Sequence, residues 1–311
     1  MTSNQERINH SEAKDKTAKD DNQHEIQSGA LARWHDELPS NTAANESKGK
    51  ILVVLSSADK IELANGDMHN TGAYLAEVGE PTKALHDAGY EVVFADPAGK
   101  VSAIDKSSEL PVWFGFSQKK VDNMLNFVQT LDNWNNPLKL SDVANSDLNQ
   151  YKAVFIPGGL APMQDLWKDP NLGKILNFFH NNNKTTAAIC HGPVALLSTL
   201  QSPEQFVKGV ENHDPSVKAT GWPYAGYKGT VVSDFSDHLL EPGGIFQKVE
   251  GLSSQLKFLP ENALRQAGMN LHEKLPQLPN VVEDRELITG QDPGSARQLG
   301  KKLVERLDKL K

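Results

Sequence analysis

The chain has 311 residues, enough for one large α/β domain or two small ones, and 38% apolar residues give it material for a sizeable core. Its 40 acidic residues outnumber 32 basic ones for a net charge of -8, which argues against a general nucleic-acid or anionic-membrane binder because no basic surplus exists to neutralise phosphates. A single cysteine excludes an intrachain disulfide and fits a reducing compartment. The N-terminus "MTSNQERINHSEAKDKTAKDDNQ" has no apolar signal core, and no apolar run approaches the roughly 18 residues of a spanning helix. The expectation is a soluble cytoplasmic protein whose partners are small molecules or proteins.

Residues 1–48 are polar and poor in β-branched and aromatic residues, so they read as a disordered or surface-docked arm, with Leu31, Trp34 and Leu38 able to dock as one or two helical turns. Order is expected from residue 49 to 311. The β-branched run Ile51–Leu55 suits a strand buried on both faces. "YLAEVGEPTKALHDAG" reads as a helix ending at Gly89, a C′ residue, and "EVVFAD" as the next strand. Residues of about 100–148 are rich in aromatics and turn formers ("ELPVWFGF", "LDNWNNPLKLSDV") and read as an inserted lid or cap segment. "YKAVFIPGG" predicts a strand running into a glycine turn, "LGKILNFFHNNN" a helix, "TTAAIC" a strand and "GPVALLSTL" the start of another helix. "GTVVSDF" and "VVEDRELITG" supply later strands, "LLEPGGIFQKVEGLSSQLKFLP" interrupts the rhythm, and "GSARQLGKKLVERLDKL" is an amphipathic closing helix. Strands alternating with helices predict βαβ units: an α/β fold with a mostly parallel sheet sandwiched by helices.

The lone cysteine, Cys190, ends an apolar strand and is followed at once by His191, Gly192 and Pro193. A cysteine in such a place is commonly a small buried hydrophobe. Its position in a strand–turn–helix elbow argues otherwise, because an elbow holds a side chain at the carboxyl end of the sheet, where α/β proteins place their sites. A helix beginning near Gly192 would favour thiolate over thiol at its positive end. Pro157–Gly158–Gly159 ends the preceding strand, and glycines there let backbone N–H groups face a ligand oxygen, as in an oxyanion hole.

"VFIPGG" followed by "AAICHGPVALL" resembles the ThiJ/PfpI superfamily, with its flavodoxin-like, class I glutamine amidotransferase-like fold. "NGDMHNTGAYLAEVGEPTKALHDAGYEVVFADPAG", "NPLKLSDV" and "ELITGQDPGSARQLGK" resemble segments of its HchA and fungal glyoxalase III branch, over roughly residues 50–310. The resemblance implies Cys190 as nucleophile, His191 as its partner, Glu77 as the carboxyl group against the thiol (with Glu80 its competitor), and Gly159 and the backbone of His191 as oxyanion donors. An acidic residue orienting the histidine is expected in "VVSDFSDHLLEPGG"; the register itself falls on Leu240, leaving Glu241 or, as the alternative, Asp237. His86 and Glu91 match two ligands of a zinc site found in HchA-like proteins, but Thr130 stands at the third, and two protein ligands hold zinc poorly. No metal or other cofactor is therefore expected. The implied activity is glutathione-independent conversion of methylglyoxal to D-lactate, by a homodimer; the alternatives are a holdase chaperone for unfolded proteins, or a deglycase acting on glycated proteins or nucleotides through the same cysteine.

Overall fold

The computed structural model describes residues 47–233 and 255–310. The strands are β1 (Lys50–Val54), β2 (Lys60–Glu62), β3 (Met68–Asn70), β4 (Glu91–Asp96), β5 (Leu138–Lys139), β6 (Tyr151–Ile156), β7 (Thr185–Ile189), β8 (Lys228–Gly229), β9 (Asn270–Leu271), β10 (Val281–Asp284) and β11 (Leu287–Gly290). The α-helices are α1 (Leu75–Asp87), α2 (Gln118–Thr130), α3 (Leu140–Ala144), α4 (Pro170–Asn181), α5 (Pro203–Glu211), α6 (Pro260–Ala267) and α7 (Ala296–Lys309).

Seven strands form the central sheet in the order β10-β11-β7-β6-β1-β4-β5. All neighbours run parallel except the β10–β11 hairpin. Every residue of β7 and β11 is buried, as is all of β1 after Lys50, so both faces of the sheet are covered, as continuous apolar runs demand of a parallel sheet. Strand β1 has β4 on one side and β6 on the other, so the winding reverses there and opens a crevice beyond the carboxyl ends of the strands.

Helix α1 carries the first candidate side chain, and its ends follow from its sequence. Gly89 at φ 88° is the C′ residue; its N–H donates to the carbonyl of His86 and that of Tyr90 to the carbonyl of Leu85, the two bonds of a Schellman stop. Pro81 lies inside the helix and has no N–H to give the Glu77 carbonyl, so this helix needs support from outside. Helix α7 supplies it. A Cβ at Gly300 would sit 2.8 Å from the Pro81 Cα and 3.1 Å from the Ala84 Cβ, so the two helices approach at backbone distance. Helix α4 is started by Asp169, whose carboxylate accepts from the N–H groups of Asn171 and Leu172, with Pro170 in the first turn.

Two elements differ from the sequence expectation. The segment after Cys190 is a 3-10 helix over Gly192–Thr199, not an α-helix, and Gly192–Ser198 are buried throughout, so packing rather than propensity shapes it. The strand expected in "GTVVSDF" does not form over Thr230–Ser233. There the Thr230 N–H donates to the Thr289 side chain and the Val232 N–H to the Cys190 carbonyl, so side-chain and cross-turn partners replace a ladder. The segment 100–148 holds α2, α3 and the short edge strand β5, with Phe114, Val121, Met124, Phe127, Val128 and Trp134 buried against the core. Most of the polar arm, and both Asp237 and Glu241, lie outside the described residues.

Two stability predictions follow from this packing. In Gly300→Ala, a helix-propensity gain of about 1 kcal/mol offsets overpacking of about 1–3 kcal/mol, so the loss is small. Gly300→Val gains no such propensity and should lose about 2–3 kcal/mol in urea unfolding. Asp165 accepts from the Ser56 hydroxyl at 2.7 Å and the Ser57 N–H at 3.0 Å, yet burial pushes its carboxyl up to about 6 from the ordinary 3.8. The folded state therefore binds this proton more tightly than the unfolded chain. Its contribution is complete below 3.8 and lost as pH rises through about 6. Asp165→Asn should gain urea midpoint relative to wild type at pH 7.5 compared with pH 4.5; equal differences at the two pH values contradict this.

Candidate active site

Cys190 follows β7 at φ 61°, the left-handed region that a non-glycine residue rarely enters. Two backbone hydrogen bonds hold it there. Its N–H donates to the Gly290 carbonyl at the end of β11 (3.0 Å), and its carbonyl accepts from Val232 (3.1 Å). The side chain is 3% exposed, and its Sγ lies 3.3 Å from Nδ1 of His191, itself buried. Whichever tautomer the imidazole adopts, the sulfur and a ring nitrogen are within proton-exchange reach. The chain then turns tightly. A Cβ at Gly192 would meet the Pro157 carbonyl at 2.9 Å and the Ile156 carbonyl closer still, so only glycine lets the elbow cross the end of β6.

Glu77 enters from the first turn of α1 and is 0% exposed. A Cβ at Gly158 would collide with its Oε2 and lie 2.6 Å from the Cβ of Cys190. Gly158 is therefore the small floor on which the carboxyl group and the cysteine converge. Glu80, the competing carboxylate one turn on, is only half-buried, and burial raises its carboxyl while Arg297 and Lys83 oppose the shift. Gly159 has φ 90°, and its N–H makes no backbone hydrogen bond among the described residues. It sits against the Gly72 carbonyl, where a side chain would not fit.

The expected nucleophile, imidazole, carboxyl group and Gly159 turn thus meet at the carboxyl ends of β6 and β7. The acid expected to orient His191 falls outside the described residues, whether Glu241 or Asp237. The metal candidates do not form a site. His86 Nδ1 faces Asp87 at 3.7 Å with its ring edge-on to Phe127, Glu91 pairs with Lys50 at 3.5 Å, and the Thr130 hydroxyl donates to the Phe127 carbonyl. No group of three metal-ligating side chains occurs among the described residues.

Tyr74 was not singled out by sequence. It is the N-cap of α1, one turn before Glu77, and its N–H donates to the Gly158 carbonyl at 3.3 Å. Burial pushes its hydroxyl well above the ordinary tyrosine range, and the nearby acidic groups Glu77, Cys190 and Asp105 add to the effect. Tyr74 precedes the first helical turn on extended backbone (ψ 121°), so the helical spacing that picks out Glu77 does not reach it.

The chain matches a sequence profile described as ThiJ/PfpI family-like over residues 68–229, more than half of its 311 residues. It is 26% identical over 275 residues to the protein/nucleic acid deglycase HchA of Staphylococcus aureus (strain bovine RF122 / ET3-1), covering 88% of this chain and 84% of that protein. Against the HchA of strain Newman the identity is 27% over 276 residues. The crystal structure of glyoxalase III from Candida albicans shares the fold with a TM-score of 0.61 at 22% identity, covering 83% of this chain and 97% of that one. Rapid Encystment Protein of Francisella tularensis gives a TM-score of 0.60 at 20% identity, over 83% and 99% of the two chains. With its parallel sheet, its strand-end cysteine and a profile match spanning both the helix of Glu77 and the elbow of Cys190, the chain belongs to the ThiJ/PfpI family.

Proposed function

We propose that the protein is a cysteine-dependent enzyme for reactive carbonyl compounds, and that it converts methylglyoxal to D-lactate without glutathione. The observation that carries this reading is the Cys190 sulfur held on a left-handed elbow 3.3 Å from the His191 imidazole, with the buried Glu77 carboxyl group against the same glycine. Residues held in such sparsely populated conformations cluster at functional sites, and Cys190 holds its one at a strand end beside a histidine and a buried acid. The HchA proteins of Staphylococcus aureus, named as deglycases, and the Candida albicans glyoxalase III support the same substrate class.

In this mechanism the Cys190 thiolate adds to the aldehyde carbon and forms a hemithioacetal. His191 acts as base for the proton shift between the two carbons, and Glu77 hydrogen-bonds the sulfur and exchanges a proton with it. The N–H groups of Gly159 and His191 stabilise the enediolate oxygen. Water then cleaves the thioester and releases D-lactate. Deglycation would use the same site and the same attack on a carbonyl-derived carbon. Exposed Leu110, Val112 and Phe116, the last at 83% exposure, favour a separate holdase reading, because such side chains could hold unfolded chains.

Methylglyoxal consumption without glutathione, with D-lactate as the measured product, tests the proposal. Cys190→Ala should fall to background and Glu77→Gln should lose about 10²–10⁴-fold in kcat. Gly158→Ala, which pushes a methyl group between Glu77 and Cys190, should lose about 10²-fold while the protein stays folded. Retained turnover in Cys190→Ala contradicts the reading. Suppression of aggregation that survives Cys190→Ala would assign the exposed patch its own role, and release of lactate from glycated peptides would extend the substrate to deglycation.

A further inference from the structure

The first turn of α1, which carries Glu77, is held from outside the helix. Three consecutive amides at its entry donate to other parts of the chain: Ala73 to the Ala103 carbonyl (2.8 Å), Tyr74 to the Gly158 carbonyl (3.3 Å) and Leu75 to the Ser108 Oγ (3.0 Å). The Asp105 N–H returns a bond to the Ala73 carbonyl (2.9 Å), and Ala73 and Ile104 pair as an isolated parallel bridge. A Cβ at Gly72 would stand 2.5 Å from the Ala103 carbonyl oxygen, so the two segments meet backbone to backbone. Residues 103–108 belong to the segment whose sequence suggested a lid or cap, and they brace the start of α1.

The Ser108 contact has no stand-in. Helices usually meet their first N–H groups with a cap side chain or with water. Tyr74 at the N-cap makes no side-chain bond, and Leu75 and Ser108 are both 0% exposed. The hydroxyl is also fixed in direction, because its proton goes to the Asp105 carbonyl and leaves a lone pair for the Leu75 amide. Two residues on, the Glu77 N–H closes the same turn on the Tyr74 carbonyl at 3.0 Å.

We infer that Ser108 is a positioning residue for the Cys190 site: by gripping the Leu75 amide it fixes the first turn of α1, and with it how closely the Glu77 carboxyl group approaches the cysteine. This rests on the reading of Glu77 and Cys190 as the reacting pair and deepens it. Ser108 itself bonds Leu75 and Asp105, not the sulfur. Without the hydroxyl the buried Leu75 N–H loses its acceptor, which is costly, and the turn shifts toward another. The Glu77 side chain shifts with it, on a floor so tight that a Cβ at Gly158 would collide with its Oε2 and lie 2.6 Å from the Cys190 Cβ. Small displacements of reacting groups have large effects. The charged groups of the bracing segment are already engaged: Asp105 accepts from the Ser107 N–H (2.9 Å) and hydroxyl (2.7 Å), and Lys106 pairs with Glu109 (2.8 Å). Removing the serine hydroxyl therefore changes position at the site and not charge.

Coupling to Glu77 separates positioning from general support of the fold. The experiment uses the full-length protein in four forms: wild type, Ser108→Ala, Glu77→Gln and the double variant. The chain has one cysteine, so a pH titration of thiolate ultraviolet absorbance, with Cys190→Ala as the blank, reports on Cys190 alone. Because Glu77 hydrogen-bonds the sulfur in the mechanism above, loosening it disfavours the thiolate. The expected result is a midpoint about half a pH unit higher in Ser108→Ala, roughly threefold less thiolate below the midpoint, and no further shift when Ser108→Ala is added to Glu77→Gln. An unmoved midpoint in Ser108→Ala overturns the inference. So does an equal shift in the Glu77→Gln background, which would mean that the serine serves the fold and not the acid. A Ser108→Ala protein with no cooperative urea transition overturns it on the same ground. A Glu77→Gln protein that titrates as wild type does defeats the reading of the reacting pair, and the inference with it. Methylglyoxal turnover is a separate readout: its absence in wild type beside the expected coupling would defeat the glyoxalase reading and leave the role of Ser108 standing.

Discussion

The arrangement depends on one backbone constraint, the left-handed conformation of Cys190. A non-glycine residue pays about 1–2 kcal/mol to sit there. It stays because both of its peptide groups are engaged, one by Gly290 and one by Val232, and because Gly192 lets the next peptide pass over the end of β6. A backbone held from three sides fixes the direction of the Cα–Cβ bond. The sulfur is delivered to the floor made by Gly158, where His191 and Glu77 already face.

A wholly buried carboxyl group is costly unless it is satisfied by its surroundings. Glu77 is 0% exposed on a helix whose middle contains a proline, so neither the residue nor its helix is chosen for stability alone. The buttress that makes this tolerable is remote: α7 presses Gly300 against Pro81 at backbone distance. Site and scaffold are thus linked by the same pair of helices, because Pro81 lies one turn after Glu77 on α1.

Much of this was legible in the amino-acid order. The apolar runs of β1, β4, β6 and β7 and the glycine stop of α1 follow from local rules, and the elbow at Cys190 could be read from a strand meeting Gly192 and Pro193. The type of helix after the elbow was not legible, because burial of Gly192–Ser198 on all sides imposes a tighter turn than propensity would. Nor was the absence of a strand at Thr230–Ser233, where "TVV" has the composition of a strand but its N–H groups are taken by Thr289 and Cys190. Tyr74 was missed for a related reason. Its place beside the Gly158 turn depends on how the start of α1 leans on that turn, a contact between segments 84 positions apart in the chain.

The order in which the chain is made has a bearing on the thiol. The partner of the Cys190 amide is Gly290, and the helix that braces Pro81 begins at Ala296. A nascent polypeptide that has reached only the 280s carries the cysteine but lacks both its clamp and the brace beneath its acid. The candidate centre therefore cannot assemble before β11 and α7 have left the ribosome, and a product truncated before them should present an ordinary, unassisted sulfhydryl.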